Sequence, residues 1–197
     1  EDEAVLSTSA RQYFQDLFSL DEPTFTPFSL RGAFPPLIAQ QTLFLDRSVT
    51  MEEVRQSLFE MKPLKAPGKD GIHALFYQSQ WSTVGASIFD FVQRAWSGNS
   101  LDPSLNHTLL ALIPKVNQPS LISEFRPISL CNVLYKIVSK CIANRLRSVM
   151  PHLIGQYQSS FVQGRNITDN IIIAQEVIHS MRGKKGKSGW MAIKIDL

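Results

Sequence analysis

No run of eighteen apolar residues occurs in the 197-residue chain, so no segment has the length and character of a membrane-spanning helix. Cysteine is scarce. Cys131 and Cys141 are the whole supply, too few for a disulfide framework. If one helix carries both, they lie about 15 Å apart along it, beyond the reach of a bridge. Such usage fits a reducing compartment. The four histidines, His73, His107, His152 and His179, have no metal-ligand spacing. Neither a Gly-x-Ser-x-Gly elbow nor a Cys/His pairing offers a nucleophile. The loop Lys62-Pro-Leu-Lys-Ala-Pro-Gly-Lys-Asp-Gly71 lacks the Gly-Lys-Ser/Thr of a Walker phosphate loop. Internal repeats are absent, as are an initiator Met and a basic-then-apolar leader. The chain therefore reads as a piece of something longer, without a secretory signal.

What is present describes a globular protein. Hydrophobic residues make up 44% of the chain and charged residues 19%, outside the range of disordered sequence. The length suits one large domain or two small ones. The net charge of +3 conceals an asymmetry. Residues 1–60 hold Arg11, Arg31, Arg47 and Arg55 against ten acids, whereas residues 61–197 hold 16 bases and 7 acids. A basic stretch of this kind suits a polyanionic partner, with solvated surface lysines as the plainer alternative.

The periodicities predict an α+β protein. Residues 4–19 have a helical apolar face, and residues 21–47 read as a long, proline-bearing connection. Thr50-Met-Glu-Glu53 is a capping box that starts a helix with Val54, Leu58 and Met61 inward. The loop at 62–71 is a tight turn with exposed lysines, or a place where lysines meet a phosphate chain. Residues 74–81 and 82–96 form a helical pair ended by Gly98. Leu109-Leu-Ala-Leu-Ile-Pro-Lys115 is a buried strand, and Phe125-Arg-Pro-Ile-Ser-Leu130 pairs with it as a hairpin, with Lys115 and Arg126 on either side.

Residues 132–150 form the clearest helix, with Val133, Leu134, Ile137, Val138, Cys141, Ile142 and Leu146 inward. Lys136, Lys140, Arg145 and Arg147 ride elsewhere, and Pro151 follows the stop. After an irregular segment at 156–165, a helix from Thr168 buries Ile172, Ile173, Val177, Ile178 and Met181. A basic turn at 182–189 then enters the strand Trp190-Met-Ala-Ile-Lys-Ile-Asp-Leu197. Met191, Ile193, Ile195 and Leu197 share its apolar face, and Asp196 lies at its end on the other. A carboxylate so placed is where phosphoryl-transfer enzymes hold Mg²⁺. Plain sheet fits the same pattern, and the stretch alone leaves both readings open.

An ordered series of short motifs goes further. Lys65-Ala-Pro-Gly-Lys-Asp-Gly71, Leu112-Ile-Pro-Lys115, Arg126-Pro-Ile-Ser-Leu130, Tyr135-Lys-Ile-Val-Ser-Lys-Cys-Ile-Ala-Asn-Arg-Leu146, Gln158-Ser-Ser-Phe-Val-Gln-Gly-Arg165, Asp169-Asn170 and Lys194-Ile-Asp196 follow one another. Together they resemble the reverse transcriptase of LINE-type (non-LTR) retrotransposons, most closely the plant ones. The likeness covers nearly the whole chain, loosely before residue 50.

The resemblance implies a right-hand polymerase: a helical region at 1–60 with its linker, an upstream loop and helical pair at 61–104, then fingers and a partial palm at 105–197 that stops after the first catalytic strand. It implies that Asp196 is the first metal-binding carboxylate, shared by two Mg²⁺ ions. It implies that Lys115 and Arg126 grip the triphosphate of an incoming deoxynucleotide, and that Gln158, Gly164 and Arg165 lie against an RNA template paired with a DNA primer. Arg165 can meet a backbone phosphate or an acid within the fold. Lys69 stands where the family usually has proline, so that loop is given no catalytic role. No membrane is implied, the location is intracellular, in the nucleus or cytoplasm, and the oligomeric state stays open. The later aspartates of the family pattern are absent, so the chain by itself is expected not to polymerise and to be poorly soluble. A non-catalytic RNA-binding remnant, a degraded element and a protein-interaction module remain alternatives.

Overall fold

The computed structural model describes residues 2–19, 35–186 and 189–193. These form seven α-helices and one two-stranded sheet, in two compact units. Unit 1 comprises residues 1–33 and 48–141, and unit 2 residues 34–47 and 142–197.

Unit 1 opens with α1 (Glu3–Phe18), capped by Asp2, whose side chain accepts the Ala4 N–H. Of its apolar residues only Phe14 is buried; Val5, Leu6, Leu17 and Phe18 face solvent. Helix α3 (Met51–Phe59) starts at the expected capping box: the Thr50 N–H donates to Glu53 Oε2 at 2.9 Å and the Glu53 N–H to Thr50 Oγ1 at 3.3 Å. Helices α4 (Ala74–Ser79) and α5 (Trp81–Trp96) pack on it. Val54, Leu58, Val92 and Ile137 are fully buried at the centre, each contributing about 1.5–3 kcal/mol by leaving water. Val49, Ala74, Tyr77, Ile88, Val133 and Cys141 complete this core.

Strands β1 (Leu109–Pro114) and β2 (Phe125–Leu130) pair antiparallel, from Leu109 opposite Leu130 to Pro114 opposite Phe125. The hairpin is as expected, but its burial is not. Leu109, Leu110, Ile113 and Ile128 are more than two-fifths exposed. A continuous apolar run marks a strand without saying what covers it, and a lone hairpin has two uncovered faces.

Helix α6 (Val133–Leu153) runs from unit 1 into unit 2 and differs from its sequence reading at two places. Pro151 lies inside the helix rather than beyond it, and the Ile154 N–H still closes on the Met150 carbonyl at 2.9 Å. The buried line is Val133, Ile137, Cys141, Arg145 and Val149, while Ile142 and Leu146 are exposed. A charged residue thus takes an inward position that an apolar pattern assigns elsewhere.

In unit 2, residues 39–46 form α2 (Ala39–Asp46) inside the stretch expected to be structureless. Pro35 and Pro36 stop short of it, and the Gln41 side chain accepts the Ile38 N–H at 3.1 Å. Its far end is held by Arg145, whose guanidinium donates to the carbonyls of Phe44, Leu45 and Arg47. Residues 21–34 of the expected connection lie outside the described residues.

Helix α7 (Ile167–Gly183) is capped by Asn166, which accepts the Thr168 N–H at 3.0 Å. The burial expected for it does not occur: Ile172, Ile173, Val177 and Ile178 are each about half exposed. Its apolar positions run round the helix, and no described element of the same unit covers them. Residues 190–193 belong to no strand, because an alternating pattern becomes a strand only where a partner supplies ladder hydrogen bonds. Residues 194–197 lie outside the described residues.

Candidate nucleotide and nucleic-acid site

The hairpin register decides where its two cations stand. Ile113 is opposite Arg126, and side chains alternate along a strand. Lys115, two residues beyond Ile113, therefore shares a face with Arg126 as its diagonal neighbour, a relation that spaces Cβ atoms by about 7–8 Å. The cations thus occupy one face of the hairpin rather than opposite sides.

The hairpin tip is built by local hydrogen bonds. The Lys115 N–H donates to the Glu124 carbonyl at 2.7 Å, and Lys115 Nζ donates to the Ser123 carbonyl at 2.7 Å. Glu124 Oε2 accepts the N–H groups of Ser120 at 2.8 Å and Leu121 at 3.0 Å. The backbone N–H groups of Leu121 and Ser120 hold the Glu124 carboxyl below its ordinary range. Arg126 is exposed, with no side-chain partner among the described residues.

A depressed folded pKa means that the Glu124 contribution is present above the unfolded carboxylate pKa and is lost as pH falls through the lower folded value. Amide exchange at Ser120 and Leu121 is therefore expected to accelerate, relative to intrinsic rates, as the solution is acidified below the ordinary carboxylate range, and already at neutral pH in Glu124→Ala. Protection indifferent to both changes would show that the carboxylate does not order the tip.

The segment from Gln158 to Arg165 lies in unit 2. Gln158 is exposed, its Nε2 donating to the Ser160 carbonyl at 3.3 Å. Gly164 has φ 81°, a left-handed conformation that favours glycine, with open space around it. Phe161 is fully exposed and also has positive φ, 64°. Arg165 donates to the carbonyls of Ile154 at 2.9 Å, Gln158 at 2.7 Å, Pro151 at 3.3 Å and Gly155. Its guanidinium thus closes the end of α6 onto the following segment, a role neither sequence reading of Arg165 contains. Asp196 lies outside the described residues.

The upstream loop is anchored on the start of α6. The Asp70 N–H donates to Asn132 Oδ1 at 3.4 Å and Lys136 Nζ to the Ala66 carbonyl at 3.1 Å. Gly68 is buried there, and a Cβ on it would lie 2.4 Å from Asn132 N and 2.6 Å from Cys131 C. Sequence reasoning missed Lys136 as a partner of this loop and Lys140 as the partner of Glu60 at the end of α3. Their i,i+4 spacing after a lysine-rich turn was the available signal.

Among the described residues the implied Mg²⁺ ions find no donor set. Mg²⁺ demands near-octahedral oxygen coordination, and Asp196 is one carboxylate. Among the described residues no three His, Cys, Asp or Glu side chains group as metal ligands.

Two comparisons bear on this geometry. Residues 113–197 match the family model described as reverse transcriptase (RNA-dependent DNA polymerase). The chain is also 34% identical over 185 residues to the transposon TX1 uncharacterized 149 kDa protein of Xenopus laevis, covering 92% of this chain. It spans 14% of the length of that relative. From the second half of β1 onward, through β2, α6 and α7, the chain therefore matches the reverse transcriptase family.

Proposed function

We propose that the chain is part of an RNA-directed DNA polymerase of a LINE-type, non-LTR retrotransposon of the plant kind, acting inside the cell in the nucleus or cytoplasm. In this reading residues 105–165 are fingers and first palm elements, and residues 190–197 the first catalytic palm strand. The observation that carries it is the hairpin register, which sets Lys115 and Arg126 diagonally on one face within the family-matched stretch. Two cations at that spacing suit the triphosphate of a deoxynucleotide, where negative charge grows during transfer. Gln158 and Gly164 lie against the RNA template and its DNA primer. Arg165 contributes by holding that segment to the end of α6.

Asp196 is proposed as the first metal-binding carboxylate. Paired Mg²⁺ ions would there activate a primer 3′-hydroxyl and stabilise the leaving pyrophosphate. The reading requires further carboxylates beside Asp196.

The test uses a chain extended through the rest of a reverse transcriptase domain. Asp196→Asn is expected to reduce primer extension by at least a thousandfold while RNA affinity stays within twofold. Lys115→Gln with Arg126→Gln is expected to raise KM for deoxynucleotides at least tenfold. Undiminished extension by Asp196→Asn would refute the metal role, and an unchanged KM would refute the nucleotide grip.

A further inference from the structure

A second cationic site lies between the upstream loop and the first turns of α6. It is a cavity of about 470 Å³ within unit 1. Lys62 and Lys65 border it from the loop, and Lys136 and Lys140 from α6, against one acid, Glu60.

Two of these lysines are fixed by the fold. Lys136 Nζ donates to the Ala66 carbonyl at 3.1 Å, and Lys140 Nζ pairs with Glu60 at 2.9 Å. The other two are exposed, and no group among the described residues takes their ammonium. The floor is apolar, made by Met61 and the buried Ala74 and Val133.

Gathering like charges around one concavity costs Coulomb energy, which an anion of several charges returns. Surfaces that track an extended single strand use long basic grooves with aromatic rings on which bases stack. Among the described residues no aromatic side chain borders this cavity, and its volume is that of a small-ligand site. A compact anion with a less polar body fits better: phosphates against the lysines, a sugar or base edge on the floor.

We propose that this cavity binds the triphosphate end of a nucleotide, either free or at the 5′ terminus of an RNA. The site is separate from the hairpin cations Lys115 and Arg126, so it does not depend on their role.

The test measures binding to the 197-residue chain by fluorescence anisotropy. The probes are one RNA oligonucleotide made with a 5′-triphosphate or a 5′-hydroxyl, with GTP and inorganic tripolyphosphate as competitors. At least one triphosphate ligand is expected to bind tenfold or more tighter than the 5′-hydroxyl RNA, with tripolyphosphate displacing it. Lys62→Gln with Lys65→Gln should bring that preference below twofold without lowering the melting temperature, since neither side chain holds the fold. Stronger retention of GTP assigns the cavity to free nucleotides, and stronger retention of the triphosphate RNA assigns it to transcript ends. The proposal is overturned if 5′-hydroxyl RNA binds as tightly as every triphosphate ligand, or if the loop variant keeps the preference.

Discussion

Gly68→Ala is expected to destabilise unit 1 by about 2–3 kcal/mol, the upper part of the range for overpacking a tight site. The new Cβ would meet Asn132 Oδ1 at 2.1 Å, Asn132 N at 2.4 Å and Cys131 C at 2.6 Å. The side-chain oxygen can rotate away, but the two backbone atoms belong to the start of α6 and cannot. The loop must therefore withdraw, and with it go the Lys136–Ala66 and Asp70–Asn132 hydrogen bonds. Gly71→Ala is the informative control. Gly71 has φ 70° with open space around it, so its substitution meets only the backbone cost of a left-handed conformation, about 1 kcal/mol. Urea melts should rank the two variants in that order. Equal losses would mean that close approach does not govern Gly68.

Arg145→Met is expected to be as damaging, but in unit 2. Arg145 is 3% exposed, and its guanidinium serves the carbonyls of Phe44, Leu45 and Arg47 at the end of α2, with the Phe44 ring 5.9 Å away. Methionine fills much of the volume and leaves those acceptors without their donor. A buried acceptor stripped of its partner costs about 1–3 kcal/mol; these three are only part-buried, so a total of about 1–3 kcal/mol is expected. Arg145→Lys should recover only part of it, because one ammonium cannot reproduce a planar fork of donors. Hydrogen exchange gives the regional readout: amides of α2 should lose protection while those of α3 and α5 keep theirs. Unchanged protection in α2 would show that Arg145 does not hold that helix.

These two residues also mark where sequence reading stops. Gly68 was legible as a turn residue, because glycine beside proline punctuates a chain. That its burial against the start of α6 excludes a side chain depends on residues more than sixty positions away. Arg145 was assigned away from the core because its charge breaks the apolar stripe. The inward position became tenable only because α2 presents carbonyls to it, and the prolines around α2 had hidden that helix. The opposite error occurred in α7, whose isoleucines were read as buried although apolar residues state only a preference for cover.

The candidate site divides in the same way. Lys115 and Arg126 were identifiable from their motifs, and the strands carrying them from apolar runs. Their shared face required the pairing register, because a shift of one residue sends a strand's side chains to the other side. Lys62, Lys65, Lys136 and Lys140 were all visible in the sequence without any sign that they border one cavity.

By itself the sequence determined the local elements α1, α3, α4, α5 and the hairpin, the charge asymmetry and an ordered series of motifs that resembles a reverse transcriptase. Those features follow from periodicity, capping and turn chemistry, which act over a few residues. Only the tertiary structure decided which faces are covered, why Gly68 has no room for a side chain, what Arg145 and Arg165 donate to, and which cations stand together. Such properties depend on contacts between segments distant in the chain, and a local pattern of polarity contains no distance between them.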